Sequence, residues 1–239
     1  MTEAVLLAAL TLAASAVGTA TGFGTSTIMV PVLAVFLPMP VTLLFVGIIH
    51  LFGAVWMMLL FRKGIQWKLI LGFGLSGIIA SYIGAALTFQ AQGLPLQRIL
   101  GVFLVLYVAF LFANPRWALP ENNGTAVAGG ILSGLSAGFF GVGGAVRGAF
   151  LTAFDLPRDA YLFTSGIIAF FIDITRISRY FLGGVNLGRD LTAALIVCIP
   201  ASFIGARLAR KFLDRLPQSR FRMFVGVFLF LVALRLILF

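Results

Sequence analysis

Gly141-Val142-Gly143-Gly144-Ala145-Val146-Arg147-Gly148 interrupts a long apolar run, and Gly22-Phe23-Gly24-Thr25-Ser26 interrupts another in the first half of the chain. A helix broken inside a bilayer exposes backbone polar groups that lipid cannot satisfy, so each break must face protein or a wet cavity. Two such breaks at corresponding places in two halves of a membrane protein point to a transport site.

Composition agrees with a membrane setting. Of 239 residues, 61% are hydrophobic and 10% charged, against about 25% charged in a soluble domain. The net charge of +10 would suggest nucleic acid in a soluble protein. Here the basic residues cluster in short loops between apolar runs, where Lys and Arg set topology, and nucleic acid is not an expected partner. Cys198 is the one cysteine and His50 the one histidine, so neither a disulfide within one chain nor a Cys/His metal site can be built. No cofactor is expected. The N-terminus has an apolar core like a signal peptide, but its first residues carry Glu3 and no Lys or Arg, and residues 4–20 read as part of the mature fold.

Outward from the breaks, residues 4–20 run into the first glycine cluster, and residues 25–37 resume as a short segment ending at Pro38. Thirteen helical residues reach about 20 Å, short of the roughly 30 Å hydrocarbon core. Residues 41–61, 68–90 and 95–113 are full spans, and Pro95 suits a first helical turn. Residues 114–123 are a polar connector. The order then repeats: 124–140 up to the second cluster, a short segment 145–154, and spans 158–182, 190–209 and 218–239.

The halves match in sequence. Ala80-Ser81-Tyr82-Ile83-Gly84-Ala85-Ala86-Leu87 and Ala201-Ser202-Phe203-Ile204-Gly205-Ala206-Arg207-Leu208 agree at six of eight positions. Gly22 and Gly24 match Gly141 and Gly143, and Gly47-Ile48-Ile49 matches Gly166-Ile167-Ile168. With Gly101-Val102-Phe103-Leu104 matching Gly226-Val227-Phe228-Leu229, the collinear matches at an offset of 119 to 125 indicate duplication: repeat one at 1–113, repeat two at 124–239. Inverted repeats collect ten basic loop residues on one face and two on the other, whereas parallel repeats give seven against five. The positive-inside rule therefore favours inversion, with both termini outside. The expected fold is an all-α integral membrane protein of two inverted-topology repeats. Each would be a broken-helix or re-entrant hairpin plus about three full transmembrane helices.

The candidate site residues follow from the breaks. A short helix starting at mid-membrane turns its N-terminus toward the site, which favours an anion. Thr25 and Ser26 stand where N-caps belong. Close helix packing also explains membrane glycines, and is the competing reading of Gly22, Gly24, Gly141, Gly143 and Gly144. Arg147 is an ionisable residue at depth, a functional hypothesis unless it snorkels to the interface. Asp173 and Arg176 are three apart and share a helix face. They are either a self-neutralising pair or a proton carrier and a substrate contact. His50, mid-span, titrates near neutrality and is a candidate for proton coupling, or else bonds a carbonyl. Ser165 beside Gly166 is a candidate hydroxyl donor. No catalytic motif or ATP-binding loop is present in the sequence, so an enzyme is not expected.

Several of these segments resemble the TauE/SafE sulfite exporter family. They are Gly22-Phe23-Gly24 followed by Met29-Val30-Pro31-Val32-Leu33, Gly138-Phe139-Phe140-Gly141-Val142-Gly143-Gly144, and the turns Gly64-Ile65-Gln66-Trp67-Lys68 and Gly184-Val185-Asn186-Leu187-Gly188-Arg189. The resemblance implies a secondary transporter or exporter, in a bacterial inner membrane, of a small sulfur-containing or organic anion such as sulfite, sulfoacetate or a related organosulfonate. Arg147 stands where the family is usually apolar. The expected partners are that anion, the lipid bilayer and a coupling proton or sodium ion. A passive anion channel of the same architecture is the alternative.

Overall fold

The computed structural model describes residues 2–62, 64–91, 95–114, 119–212 and 218–238. Lys63, Arg116 and Arg215, three of the ten basic loop residues counted on one face, lie outside them. The regular elements among the described residues are all helices, with no strand: α1 Thr2–Thr21, α2 Ser26–Leu33, α3 Met39–Leu60, α4 Trp67–Gln90, α5 Leu96–Ala113, α6 Asn123–Phe140, α7 Gly143–Leu151, a 3-10 turn Thr152–Phe154, α8 Arg158–Leu182, α9 Gly188–Phe212 and α10 Gln218–Leu238.

Local sequence sets these boundaries. Pro38, Pro95 and Pro157 immediately precede α3, α5 and α8, where a missing N–H costs nothing and φ is already helical. The Asn122 side chain accepts from the Thr125 N–H at 2.8 Å and caps α6. At the other end of α6, Gly141 adopts φ 76°, the left-handed conformation that stops a helix. The first break is made the same way, by Gly22 at φ 74° and Gly24 at φ 79°.

Among the described residues, five helices are long and apolar enough to cross a membrane: Glu3–Thr21, Met39–Leu60, Trp67–Gln90, Arg158–Leu182 and Gly188–Lys211. The last helix of each half, α5 with 18 residues and α10 with 21, has an apolar stretch at Leu96–Phe110 and Gly226–Leu238 respectively among the described residues. Each broken pair has one long and one short arm: 20 residues against 8 in α1–α2, and 18 against 9 in α6–α7. At 1.5 Å per residue the short arms extend only about 12–14 Å.

The main packing pairs are α4 with α6 and α1 with α9, α3 with α8, α5 with α10, and α4 with α8 and α3 with α9. Exchanging the two halves converts this set into itself, which is compatible with inverted repeats. The matched octapeptides lie in two of these contacts. A Cβ on Gly84 of α4 would strike the Leu135 carbonyl of α6, and one on Gly205 of α9 would strike the Leu12 carbonyl of α1. Ser81 Oγ donates to the Ile172 carbonyl at 3.2 Å, and Ser202 Oγ accepts from Trp56 Nε1 at 2.9 Å. Small residues here let backbones approach, as membrane helices require.

The lipid-facing surface is apolar. Leu71, Leu75, Ile79 and Ile83 form an exposed stripe along α4. Charge is also found in the interior: the two largest fully buried side chains are Arg147 and Arg176. Burying unpaired charge costs several kcal/mol, so the surroundings of these arginines locate the site.

Candidate functional site

The two glycine breaks meet. A Cβ added to Gly144, at the start of α7, would overlap the carbonyl of Phe23 in the first break. One added to Gly148 would press on the Phe23 ring. Gly18 permits the first reversal, because the chain at Gly24 and Thr25 folds back directly over it and the Gly24 N–H donates to the Gly18 carbonyl at 3.1 Å. Glycine thus serves two purposes in this protein. Gly22, Gly24 and Gly141 make left-handed turns. Gly143 and Gly144 have ordinary helical backbone and are needed for close approach, Gly143 to the Ser133 carbonyl and Gly144 to Phe23.

Arg147 lies one turn into α7 and is 1% exposed, so it does not snorkel. Its Nε donates to Ser165 Oγ of α8 at 2.9 Å, and Ser165 Oγ donates to the Gly22 carbonyl at 3.5 Å. This chain links the second break, α8 and the first break. Nη2 of Arg147 is buried with no hydrogen-bond partner. It faces the start of its own helix, 3.5 Å from where a Gly144 Cβ would be.

A second group lies alongside. His50 of α3 contacts Asp173 of α8, Nδ1 to Oδ2 at 2.5 Å, and Asp173 Oδ1 accepts from Arg176 Nε at 2.7 Å. Arg176 Nη1 also donates to the Ala137 carbonyl at 3.4 Å, and the Tyr180 hydroxyl donates to the Gly138 carbonyl at 2.5 Å. Both carbonyls belong to the last turn of α6; that of Ala137 also accepts from the Gly141 N–H at 3.0 Å. A Cβ on Gly141 would lie 3.5 Å from Arg176 Nη1, which brings this group to the second break. His50 Nε2 has no partner, and it occupies the space a Cβ on Gly24 would need, at the first break. Each break therefore has one buried, unpartnered nitrogen against it.

The charge balance of the cluster is uneven. Arg147, Arg176 and Asp173 are each about 1% exposed and His50 is 3% exposed. With a neutral imidazole, two guanidinium groups face one carboxylate, leaving one positive charge in the protein interior. Asp173 meets both His50 and Arg176, so the reading of Asp173–Arg176 as a self-contained pair is too small.

The structure brings together Gly22, Gly24, Gly141, Gly143, Gly144, Arg147, Ser165, Asp173, Arg176 and His50. Thr25 and Ser26 are buried beside the first break, but no hydrogen bond joins either to Arg147 among the described residues. Thr25 takes the N-cap position of α2 without a capping bond. Its backbone is already helical, φ −61° and ψ −34°, whereas a capping side chain needs extended backbone to turn back onto the next N–H groups.

Sequence reasoning missed Tyr161 and Tyr180. The Tyr161 ring packs against Gly22, and its hydroxyl would lie 3.1 Å from a Gly148 Cβ. A signal existed: Tyr161, Ser165, Asp173, Arg176 and Tyr180 fall within about a third of a turn on α8 at 3.6 residues per turn, a polar stripe on an apolar helix. Thr164 Oγ1 is a further buried, unpartnered atom. Among the described residues no group of three or more His, Cys, Asp and Glu could hold a metal ion. A separate cleft of about 440 Å³, lined by Pro95, Gln97, Arg98 and Arg235, shares no residue with this cluster.

No curated protein and no solved structure matches the chain. Residues 7–236 match the family model described as Sulfite exporter TauE/SafE, so the chain belongs to that family and is a membrane transporter, not an enzyme.

Proposed function

We propose that the protein is an ion-coupled secondary transporter that exports a small sulfur-containing or organic anion, such as sulfite, sulfoacetate or a related organosulfonate. The observation that carries this reading is the unpartnered Nη2 of buried Arg147 within a cluster that holds one excess positive charge. An anion at that atom would neutralise the cluster and complete the hydrogen bonding of the guanidinium. The N-terminus of α7 adds to the attraction. Family membership supports the substrate class.

Ser165 holds the guanidinium from one side, and Gly22, Gly24, Gly141, Gly143 and Gly144 let the two breaks close around the anion. Thr25 and Ser26 lie within the first break as further hydroxyls. His50 and Asp173 supply coupling, with Arg176 setting the charge on Asp173. Alternating access comes from one repeat rocking against its inverted partner in a bacterial inner membrane, with both termini outside. The burial of Arg147, His50, Asp173 and Arg176 supports a transporter with an occluded site over an open channel.

The test is a thermal-shift screen of the purified protein against sulfite, sulfate, thiosulfate, sulfoacetate, taurine and carboxylates. The wild type should be stabilised by one class, and Arg147→Ala should lose that shift. Normal binding by the variant overturns the site. Concentrative flux abolished by an uncoupler would separate a coupled transporter from a passive channel.

A further inference from the structure

We infer that His50 Nε2 is a second ligand for the transported anion, and that the site takes a divalent anion together with one proton carried at that nitrogen. The inference deepens the proposed anion transport and rests on it.

Geometry gives the first part. His50 Nδ1 is committed to Asp173 Oδ2. A carboxylate only accepts, so Nδ1 carries the hydrogen, and Nε2 of the neutral ring is an acceptor. That atom is buried, unpartnered, and pressed against Gly24 of the first break. Arg147 Nη2 is buried, unpartnered, and lies beside Gly144 of the second break, 3.5 Å from where a Cβ would stand. The breaks touch through Gly144 and the Phe23 carbonyl, so the two orphaned nitrogens come from opposite halves of the chain toward one junction. A guanidinium nitrogen donates to an anion oxygen as it stands. Nε2 does so only after it gains a proton.

Charge gives the second part. The charged groups acting on His50 are Asp173 and Arg176 from α8 and Arg147 from α7. With neutral His50 the cluster has one positive charge, and a monovalent anion balances it with no proton. With imidazolium it has two, and a divalent anion balances it. The proton enters at Nε2, the Nδ1–H stays on Asp173, and the filled site is neutral in both cases. A neutral occupied site is the one a low-dielectric interior tolerates while the repeats move. Proton uptake should therefore accompany a divalent anion and be absent with a monovalent one.

The experiment compares sulfoacetate, divalent and fully ionised above pH 6, with methanesulfonate, monovalent over the same range. Purified full-length protein is titrated calorimetrically at pH 6 to 8 in two buffers of different ionisation enthalpy, which counts protons taken up. Sulfoacetate should bring in about one proton per anion in the upper part of the range, and its affinity should fall by about tenfold per pH unit there. Methanesulfonate should bring in none and bind with little pH dependence. His50→Gln, which keeps a polar group but cannot gain the charge, should bind sulfoacetate at least tenfold more weakly, with no proton uptake. Sulfoacetate binding without proton uptake in the wild type overturns the inference and leaves the transport reading standing. So does a pH slope that survives in His50→Gln. If neither anion binds the wild type, the inference falls, and the thermal-shift screen decides the transport reading separately. Should His50→Gln fail to fold, the contrast between the two anions on the wild type still decides.

Discussion

Arg147 Nε donates to Ser165 Oγ at 2.9 Å, and the same hydroxyl reaches the Gly22 carbonyl at 3.5 Å. One serine thus fixes the orientation of the buried guanidinium and ties it to the opposite break. Replacing it tests whether orientation matters apart from charge. Ser165→Ala leaves the charge of Arg147 unchanged and removes the side-chain partner of its Nε. The buried donor left over should cost about 1–3 kcal/mol of stability. Anion flux should fall by at least tenfold in reconstituted vesicles while the protein still purifies as a folded species. Flux equal to wild type would show that Arg147 is held well enough without the serine.

The glycines at the breaks should be less replaceable than glycines elsewhere. Gly24→Ala puts a methyl into the His50 ring at φ 79°; left-handed backbone alone costs about 1–2 kcal/mol for an L-residue. Gly144→Ala drives a methyl into the Phe23 carbonyl, which a backbone cannot yield without separating the breaks. Both variants should lose transport and melt well below wild type. Gly74 lies inside α4 with nothing within 4 Å of an added Cβ, and Gly74→Ala should be neutral or stabilising by up to about 1 kcal/mol through helix propensity. Thermal unfolding of the three variants gives the comparison. Similar losses at all three would mean that the breaks are not special.

These contrasts show what the sequence could and could not express. Apolar run length and the prolines before α3, α5 and α8 marked the helices, because those signals are local. The glycine clusters marked the breaks for the same reason, and three-residue spacing put Asp173 beside Arg176. The His50–Asp173 contact joins residues 123 apart, and no local pattern encodes it. The meeting of Gly144 with Phe23 is equally non-local. Thr25 was misread in one respect: position suggested a cap, but backbone dihedrals decide whether a side chain can cap, and these are set by the sharp reversal over Gly18. Tyr161 was overlooked because a tyrosine near the end of an apolar helix is commonplace. Its alignment with Ser165 and Asp173 on one face was the available clue.

Asp173 is the only negative charge in the cluster, and its removal should be the most damaging single change. Asp173→Asn leaves Arg176 and Arg147 without a counter-charge in a buried site, a loss of about 3–5 kcal/mol for a broken buried pair. Arg176→Gln instead leaves Asp173 facing His50. The double variant Asp173→Asn/Arg176→Gln restores neutrality between the two positions. It should recover part of the stability lost by Asp173→Asn, while transport stays absent because the partner of His50 Nδ1 is no longer charged. Thermal unfolding and reconstituted flux on all three variants complete a double-mutant cycle. Strict additivity of the two losses would mean that the 2.7 Å contact between Asp173 and Arg176 contributes nothing beyond the individual side chains.

Inversion of the repeats predicts opposite sidedness for two equivalent loops. The turn between α3 and α4 contains Gln66, and the turn between α8 and α9 contains Asn186. Both positions follow a glycine with positive φ, Gly64 at 73° and Gly184 at 81°, and both lie outside the helices, so a cysteine is tolerated in either. Cys198 is buried, and Cys198→Ala removes it as a background. In intact cells, a membrane-impermeant maleimide should label Asn186→Cys and spare Gln66→Cys. In inside-out vesicles the preference should reverse. Inversion follows from this outcome because α3 and α8 are matched helices by sequence, and their C-terminal turns would then face opposite sides. Labelling of both cysteines from the same side would make the repeats parallel. The two helix N-termini at the breaks would then approach from one side of the membrane, and a rocking exchange of one half against the other could not move the anion between faces.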